Sequence, residues 1–444
     1  MNIREFDLII KNGTLHSSQK SWQEDIGIKD GKIVKLAKFN DSDLKSAAEV
    51  IDAQGLDILP GLIDSQVHFR EPGLTHKEDI AHGSKAAVLG GICTFFEMPN
   101  TKPATTTIEA TQVKVDIAKE TSYANFGFFI GASGKNLDEL VKSQDMVGCS
   151  GVKIFLGSST GDLLLYDTDK LVEIFKTLDC HISVHSESEE RLHANVAIRD
   201  NANGDVHAHY KWRDAQTALE STKMIIEVAK KAGRKVHILH LTTKDEIEFL
   251  KDQKEHCTIE VTPQHLTLFA PDIYDKIGTL AQMNPPIRTK DHTDGLWEGL
   301  KSGVIDVFGS DHAPHTLEEK AQPYPASPSG MPGVQTMLPV MLTHVEAGRL
   351  TLEDIVKYLA ENPAKLFKLN KGFIQEGMDG DLTILDMNKR FTIRNEDQAS
   401  KVGWTPFDGM EVKGCPTYTI VSGQVAMEHG KAIKVQAQPI VRTK

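Results

Sequence analysis

The chain has 444 residues, room for one large barrel plus an accessory unit, and its 40% hydrophobic and 25% charged content is that of an ordinary globular enzyme. A net charge of −12 without a basic stripe argues against nucleic acid as a partner, and no apolar run is long enough to span a bilayer. The N-terminus lacks the apolar core of a signal peptide, and the five cysteines lie far apart with no Cys-x-x-Cys, so a cytoplasmic protein with reduced thiols is expected.

The first sixty residues read as β-rich. Asp7–Gly13 suggests a strand into a turn, and Asp25–Leu36 a hairpin turning at Asp30-Gly31. The same texture returns in Asp381–Asp386 and Tyr418–Gly423, which predicts one small sheet domain built from both termini. Between them, short apolar strands alternate with helical patterns, as a parallel α/β fold requires. Strands are predicted to end near His68, Met98, Ile130, Phe155, His185, His240, Val261 and Asp311. Helices are predicted over Ile80–Leu89, Leu137–Ser143, Asp169–Leu178, Ala215–Ala232 and Lys244–Lys254. The expected fold class is α/β, a (β/α)8 TIM barrel with a small β-sandwich domain. Residues 1–58 and 375–444 would form the two parts of the small domain, and 59–374 the barrel. An open doubly wound sheet is the runner-up, but no Gly-x-Gly-x-x-Gly follows the first strand.

Gly61–Gly73 runs from an apolar strand straight into ionisable side chains, the pattern of a barrel strand delivering residues to its C-terminal edge. Gln66 and His68 alternate and so share one side of that strand. His68, Lys153, His185, His240 and Asp311 each close a different predicted strand. Imidazole and carboxylate donors suit zinc first, then manganese, cobalt or iron, and five such tips suit a two-metal site. Lys153 sits between the β-branched Val152 and Ile154, too apolar a segment for a solvated face. Pointed into a barrel, its amine would lose its proton more readily and could take up carbon dioxide as a carbamate bridging two metals. A structural lysine paired with a buried carboxylate accounts for the same sequence equally well.

The constellation resembles that of the amidohydrolase superfamily, and the flanking motifs are similar to those of its dihydroorotase family. The matching stretches are His68-Phe-Arg-Glu-Pro-Gly73 with His76-Lys-Glu78, Met98-Pro-Asn-Thr101, Glu260-Val-Thr-Pro263, Asn284-Pro-Pro-Ile-Arg288, Ser310-Asp-His-Ala-Pro-His315 and Ser329-Gly330. They run in order over nearly the whole chain. The resemblance implies that Arg70, Asn100 and Asn284 hold the substrate carboxylate and ring, and that His315 with the backbone at Ser329 and Gly330 completes the pocket. It implies two zinc ions, a carbamate on Lys153, and Asp311 as both metal ligand and the catalytic group that moves the proton. A small-molecule substrate and a homodimer are expected, and for some relatives a complex with aspartate transcarbamoylase. A guanidinium suits a carboxylate through paired hydrogen bonds, and amides both donate and accept to a cyclic ureide.

Two positions depart from the family pattern. Its first metal ligand is histidine where Gln66 stands, and its Pro-His-His-Leu is here Pro263-Gln-His-Leu266. Gln66 would ligate through its amide oxygen, a weaker donor to zinc. Loss of ligands also raises the reading of a non-catalytic scaffold, although the other donors remain. Hydantoinase and allantoinase chemistry are further alternatives on the same barrel. The small, polar Leu156–Gly161 reads as an inert loop or a lid over the substrate.

Overall fold

In the computed structural model, which describes residues 4–157 and 163–443, eight strands pair side by side in chain order and in parallel. They are β1 (Leu62–Val67), β2 (Ile92–Glu97), β3 (Asn125–Gly131), β4 (Cys149–Phe155), β5 (Ile182–His185), β6 (Val236–Ile238), β7 (Cys257–Val261) and β8 (Val307–Phe308). Just past β8, His312 bridges Val67 in parallel, and its carbonyl accepts from the His68 amide at 2.7 Å. That contact joins the last strand to the first and closes the barrel. Phe155, His185 and Val261 end their strands as expected; β6 and β8 stop short, leaving His240 and Asp311 on the loops that follow.

Strands covered on both faces read as continuous apolar runs, yet their two faces differ. In β4, Val152 and Ile154 join the apolar layer between strands and helices, while Lys153 lines the central cavity. In β5, Val184 goes outward and His185 inward by the same alternation. Ile63, Phe96, Phe129 and Phe367 form a separate apolar cluster that fills the interior away from the strand tips.

Helices Ile80–Leu89, Leu137–Ser143 and Ala215–Ala232 have the bounds read from the sequence. Ala215–Ala232 begins where the Asp214 carboxylate accepts from the Thr217 amide, and it ends at Gly233 with φ 65°. Its inward stripe includes Ala218, Thr222, Ile225 and Ala229, at helical spacing. Thr168–Thr177 starts slightly earlier than expected, and Lys244–Leu250 gives way to a turn before Lys254. Ile108–Thr121, Lys290–Lys301 and Met337–Glu346 complete the outer layer.

The β-rich ends form two sheets, as the expected sandwich requires. Phe6–Lys11, Asp25–Lys29, Lys32–Ala37 and Ala47–Asp52 form a four-stranded sheet from N-terminal residues alone. In a seven-stranded sheet, Asp57–Pro60 pairs antiparallel with Leu382–Thr392, so the two ends of the chain meet there. Both sheets bury one face against a common core containing Leu8, Ile26, Ile58, Leu382 and Ile420, which is why one sheet does not suffice. The first hairpin turns at Asp30 and Gly31, φ 49° and 74°, the left-handed pair its two-residue turn demands. No helix among the described residues is long and apolar enough to cross a membrane.

Candidate active site at the strand tips

A cavity of about 210 Å³ opens at the C-terminal ends of the strands. Gln66, His68, Arg70, Asn100, Lys153, His185, His240, Asn284, Asp311, His315, Ser329 and Gly330 all line it, together with Phe155 and Ala313. Every residue given a metal-binding, substrate-binding or catalytic role in the sequence reading therefore lines one cavity. Arg70, His240 and Asp311 carry positive φ values of 64°, 37° and 44°, an uncommon conformation for side-chain-bearing residues and one that clusters at functional sites.

The donors converge in two groups. His185 Nδ1 lies 3.1 Å from His240 Nε2, and His185 Nε2 lies 2.8 Å from the Glu187 carboxylate. Glu187 in turn accepts from Arg213 Nε at 3.1 Å. Burial would raise Glu187, but Arg213 and then His185 outweigh it and hold the carboxyl well below the usual glutamate range. An ionised Glu187 fixes the proton on His185 Nε2 and leaves Nδ1 free to donate to a cation. In the other group, Gln66 Nε2 donates to Asp311 Oδ1 at 3.0 Å, and His68 Nε2 lies 3.2 Å from the same oxygen. His68 Nδ1 meets Asn100 Oδ1 at 2.7 Å.

Lys153 is 1% exposed, its Nζ 4.7 Å from the centroid of the Phe155 ring. Burial drives its pKa down, and Asp311 and Glu260 pull it back through space. Burial likewise pushes Asp311 up, against the opposing pull of Lys153. Each favours its neutral form until a cation or the other's charge compensates. Burial also lowers His68, His185 and His240, so all three imidazoles are neutral and available as donors. The donor set fits divalent metal. Gln66 Oε1 is buried without a hydrogen-bond partner among the described residues, as a lone pair awaiting a cation would be. A second group, Glu78, Asp79 and His82, has donors within 4.8 Å of one another, but Ser400, Lys401 and a helix N-terminus already occupy its oxygens.

Beside the metal donors lies a cationic wall. Arg70 is buried, with Nε donating to the Pro314 carbonyl at 3.3 Å, and no surface ion pair with Glu71 forms; Glu71 accepts from the Ile80 amide instead. Burial lowers Arg70 to about 10, so it keeps its charge at neutral pH. Lys77 meets His315 Nδ1 at 2.9 Å, which leaves Nε2 to donate to the Ser329 carbonyl at 3.0 Å. The Gly330 amide already donates to the Gln282 carbonyl, and a Cβ there would collide with the Ala313 carbonyl. Gly330 thus supplies space more than a hydrogen bond.

Three supports escaped the sequence reading: Glu187 with Arg213, Phe155 under Lys153, and Lys320. Lys320 donates to the carbonyls of Gln282, Pro328 and Gly330 at 2.9, 3.0 and 3.1 Å, clamping the loop that carries Ser329. Gln264 donates to the Ser310 carbonyl at 2.8 Å and stays outside the cavity lining. Of the suggested lid, Leu156 is buried and positions 158–161 lie outside the described residues.

Residues 58–426 match the Amidohydrolase family. The chain belongs to that family. A dihydroorotase of Pyrococcus horikoshii is 36% identical over 99% of this chain and 96% of its own length. One from Methanosarcina mazei is 35% identical over 94% of each. Among solved structures, the L-hydantoinase (dihydropyrimidinase) of Arthrobacter aurescens superposes with a TM-score of 0.94 at 32% identity, covering 98% of this chain and all of that one. Amidohydrolases are generally metal-dependent, in keeping with the donors gathered at these strand tips.

Proposed function

We propose that the chain is a dihydroorotase, interconverting L-dihydroorotate and N-carbamoyl-L-aspartate in de novo pyrimidine biosynthesis. The observation that carries this reading is Arg70, a buried and still charged guanidinium in the same cavity as the metal donors. Dihydroorotate has a ring carboxylate to meet it; hydantoin and allantoin have none.

His68, Lys153, His185, His240, Asp311 and the amide oxygen of Gln66 would hold two divalent ions, zinc first, with Lys153 carrying a carbamate that its buried, readily neutral amine makes accessible. Bound there, the metals supply Lewis acidity toward the ring carbonyl and make water a stronger acid. Arg70 fixes the substrate carboxylate, while Asn100 and Asn284 orient the ureide. His315 supports this wall from behind, bonded to the Ser329 carbonyl. Asp311 takes a proton from the attacking water as its oxygen bonds to the ring carbonyl carbon. The bond from that carbon to the ring nitrogen then breaks, and Asp311 returns the proton to the nitrogen. Cyclisation reverses the same transfers.

The small β domain of residues 1–58 and 375–444, a reducing cytoplasmic location, a homodimer and an aspartate transcarbamoylase partner belong to the same reading. Five free cysteines agree with the location, and sizing the chain with and without a transcarbamoylase tests the assembly. The function itself is tested by turnover of the purified, metal-loaded protein on dihydroorotate, hydantoin, dihydrouracil and allantoin. Dihydroorotate alone should turn over, and Arg70→Met should remove that preference. Hydantoin as the better substrate would give the chain the chemistry of its structural neighbour, and inertness toward all four would leave a scaffold.

A further inference from the structure

We propose that the two ends of the donor set select different metals: zinc at His185 and His240, and a hard divalent cation of the manganese class at Gln66, His68 and Asp311, with Lys153 shared. This rests on the metal-bearing site proposed above and concerns what its two halves prefer.

The halves differ in donor chemistry. One offers two imidazoles, His185 and His240, whose facing nitrogens are 3.1 Å apart. The other offers one imidazole, a carboxylate and an amide oxygen. Nitrogen donors favour zinc, whereas carboxylate and carbonyl oxygens favour magnesium, calcium or manganese. Gln66 is 1% exposed, and its amide orientation follows from its neighbour. Nε2 donates to Asp311 Oδ1 at 3.0 Å, and Oε1 faces away, buried and without a partner among the described residues. That oxygen is a neutral, hard donor in the cavity lining.

Support from behind sharpens the contrast. His185 is backed by a carboxylate, Glu187, itself held by Arg213. A carboxylate there raises the basicity of the imidazole and its hold on zinc. Among the described residues His68 is backed by the neutral amide of Asn100, at 2.7 Å. Asp311 Oδ1, already met by Gln66 and His68, has less charge to give a strongly polarising ion. Both differences act in the same direction.

The test strips the full-length chain with chelator and reloads it in bicarbonate, with zinc held low by a metal buffer and manganese in excess. Metal content by mass spectrometry and the Mn2+ electron paramagnetic resonance spectrum are read without any assay of turnover. One zinc and one manganese per chain are expected. Gln66→His should raise the manganese-to-zinc ratio needed for that exchange by about ten-fold or more. Gln66→Glu, which keeps a hard oxygen, should retain manganese and serves if the histidine variant does not fold. Two zinc ions per wild-type chain across the whole manganese range, a single zinc with no second ion, or an unchanged ratio in Gln66→His would each overturn the inference while leaving a metal site. A chain that takes up no metal would overturn the metal centre itself.

Discussion

Two lysines on neighbouring parts of the barrel are both fully buried, and they could hardly be less alike. Lys114, on the outer helix Ile108–Thr121, is ion-paired with Glu97 at the end of β2 and donates to the Met98 carbonyl at 3.1 Å. Lys153, inside the barrel, has a phenyl ring beneath it and meets Asp311 and Glu260 only through space. Burial pushes both amines toward neutrality. What separates structure from chemistry is the partner. Lys114 is satisfied where it stands, whereas Lys153 lines a cavity and feels its counter-charges, Asp311 and Glu260, only through space.

Removing Lys153 should break the site without breaking the fold. Lys153→Ala is expected to lower turnover by roughly 1,000-fold or more and to abolish tight metal uptake, with a circular dichroism spectrum like that of the parent. Retained metal content would put Lys153 in the same class as Lys114. Lys114→Met should do the reverse, costing about 3–5 kcal/mol in denaturant unfolding because Glu97 stays buried without its partner, while metal per folded chain is unchanged.

A third buried lysine refines the contrast. Lys320 has three carbonyls and the Trp404 ring about it but no carboxylate in ion-pair contact among the described residues, and burial brings it down to about 7. Lys320→Met should loosen the Ser329–Gly330 loop and raise KM for the carboxylate substrate by about ten-fold, with kcat nearly intact. An effect confined to kcat would remove it from the substrate wall. The smallest effect concerns pH. Glu187 is depressed in the folded protein below its ordinary value of 4.5, so it adds stability above that pH which fades as pH falls toward the depressed value. The melting temperature of the parent should therefore drop between about pH 5 and pH 3 more steeply than that of Glu187→Gln. Parallel curves would mean that the Arg213 pair contributes nothing.

The strand tips were legible because a parallel barrel forces a simple grammar. An apolar run that stops at His, Lys or Asp places that side chain at the barrel mouth, and each such end lines the cavity. Lys153 could not be decided from sequence, since Val152-Lys-Ile154 fits a paired and an unpaired amine equally well. Arg213 and Lys320 were invisible for a related reason. Their partners, Glu187 and Gln282, lie 26 and 38 positions away, and no local pattern encodes that meeting. How the terminal strands divide between the two sheets was hidden because alternation reveals a strand but not the partner it pairs with.

The closure at Val67 and His312 also governs when the protein acquires its chemistry. Gln66 and Arg70 emerge from the ribosome early, and their partners Asp311 and His315 each 245 residues later. Until that late stretch docks on the first strand, the nascent polypeptide carries imidazoles and a guanidinium with no common enclosure. Assembly of the candidate site is thus tied to the final lateral pairing of the cylinder.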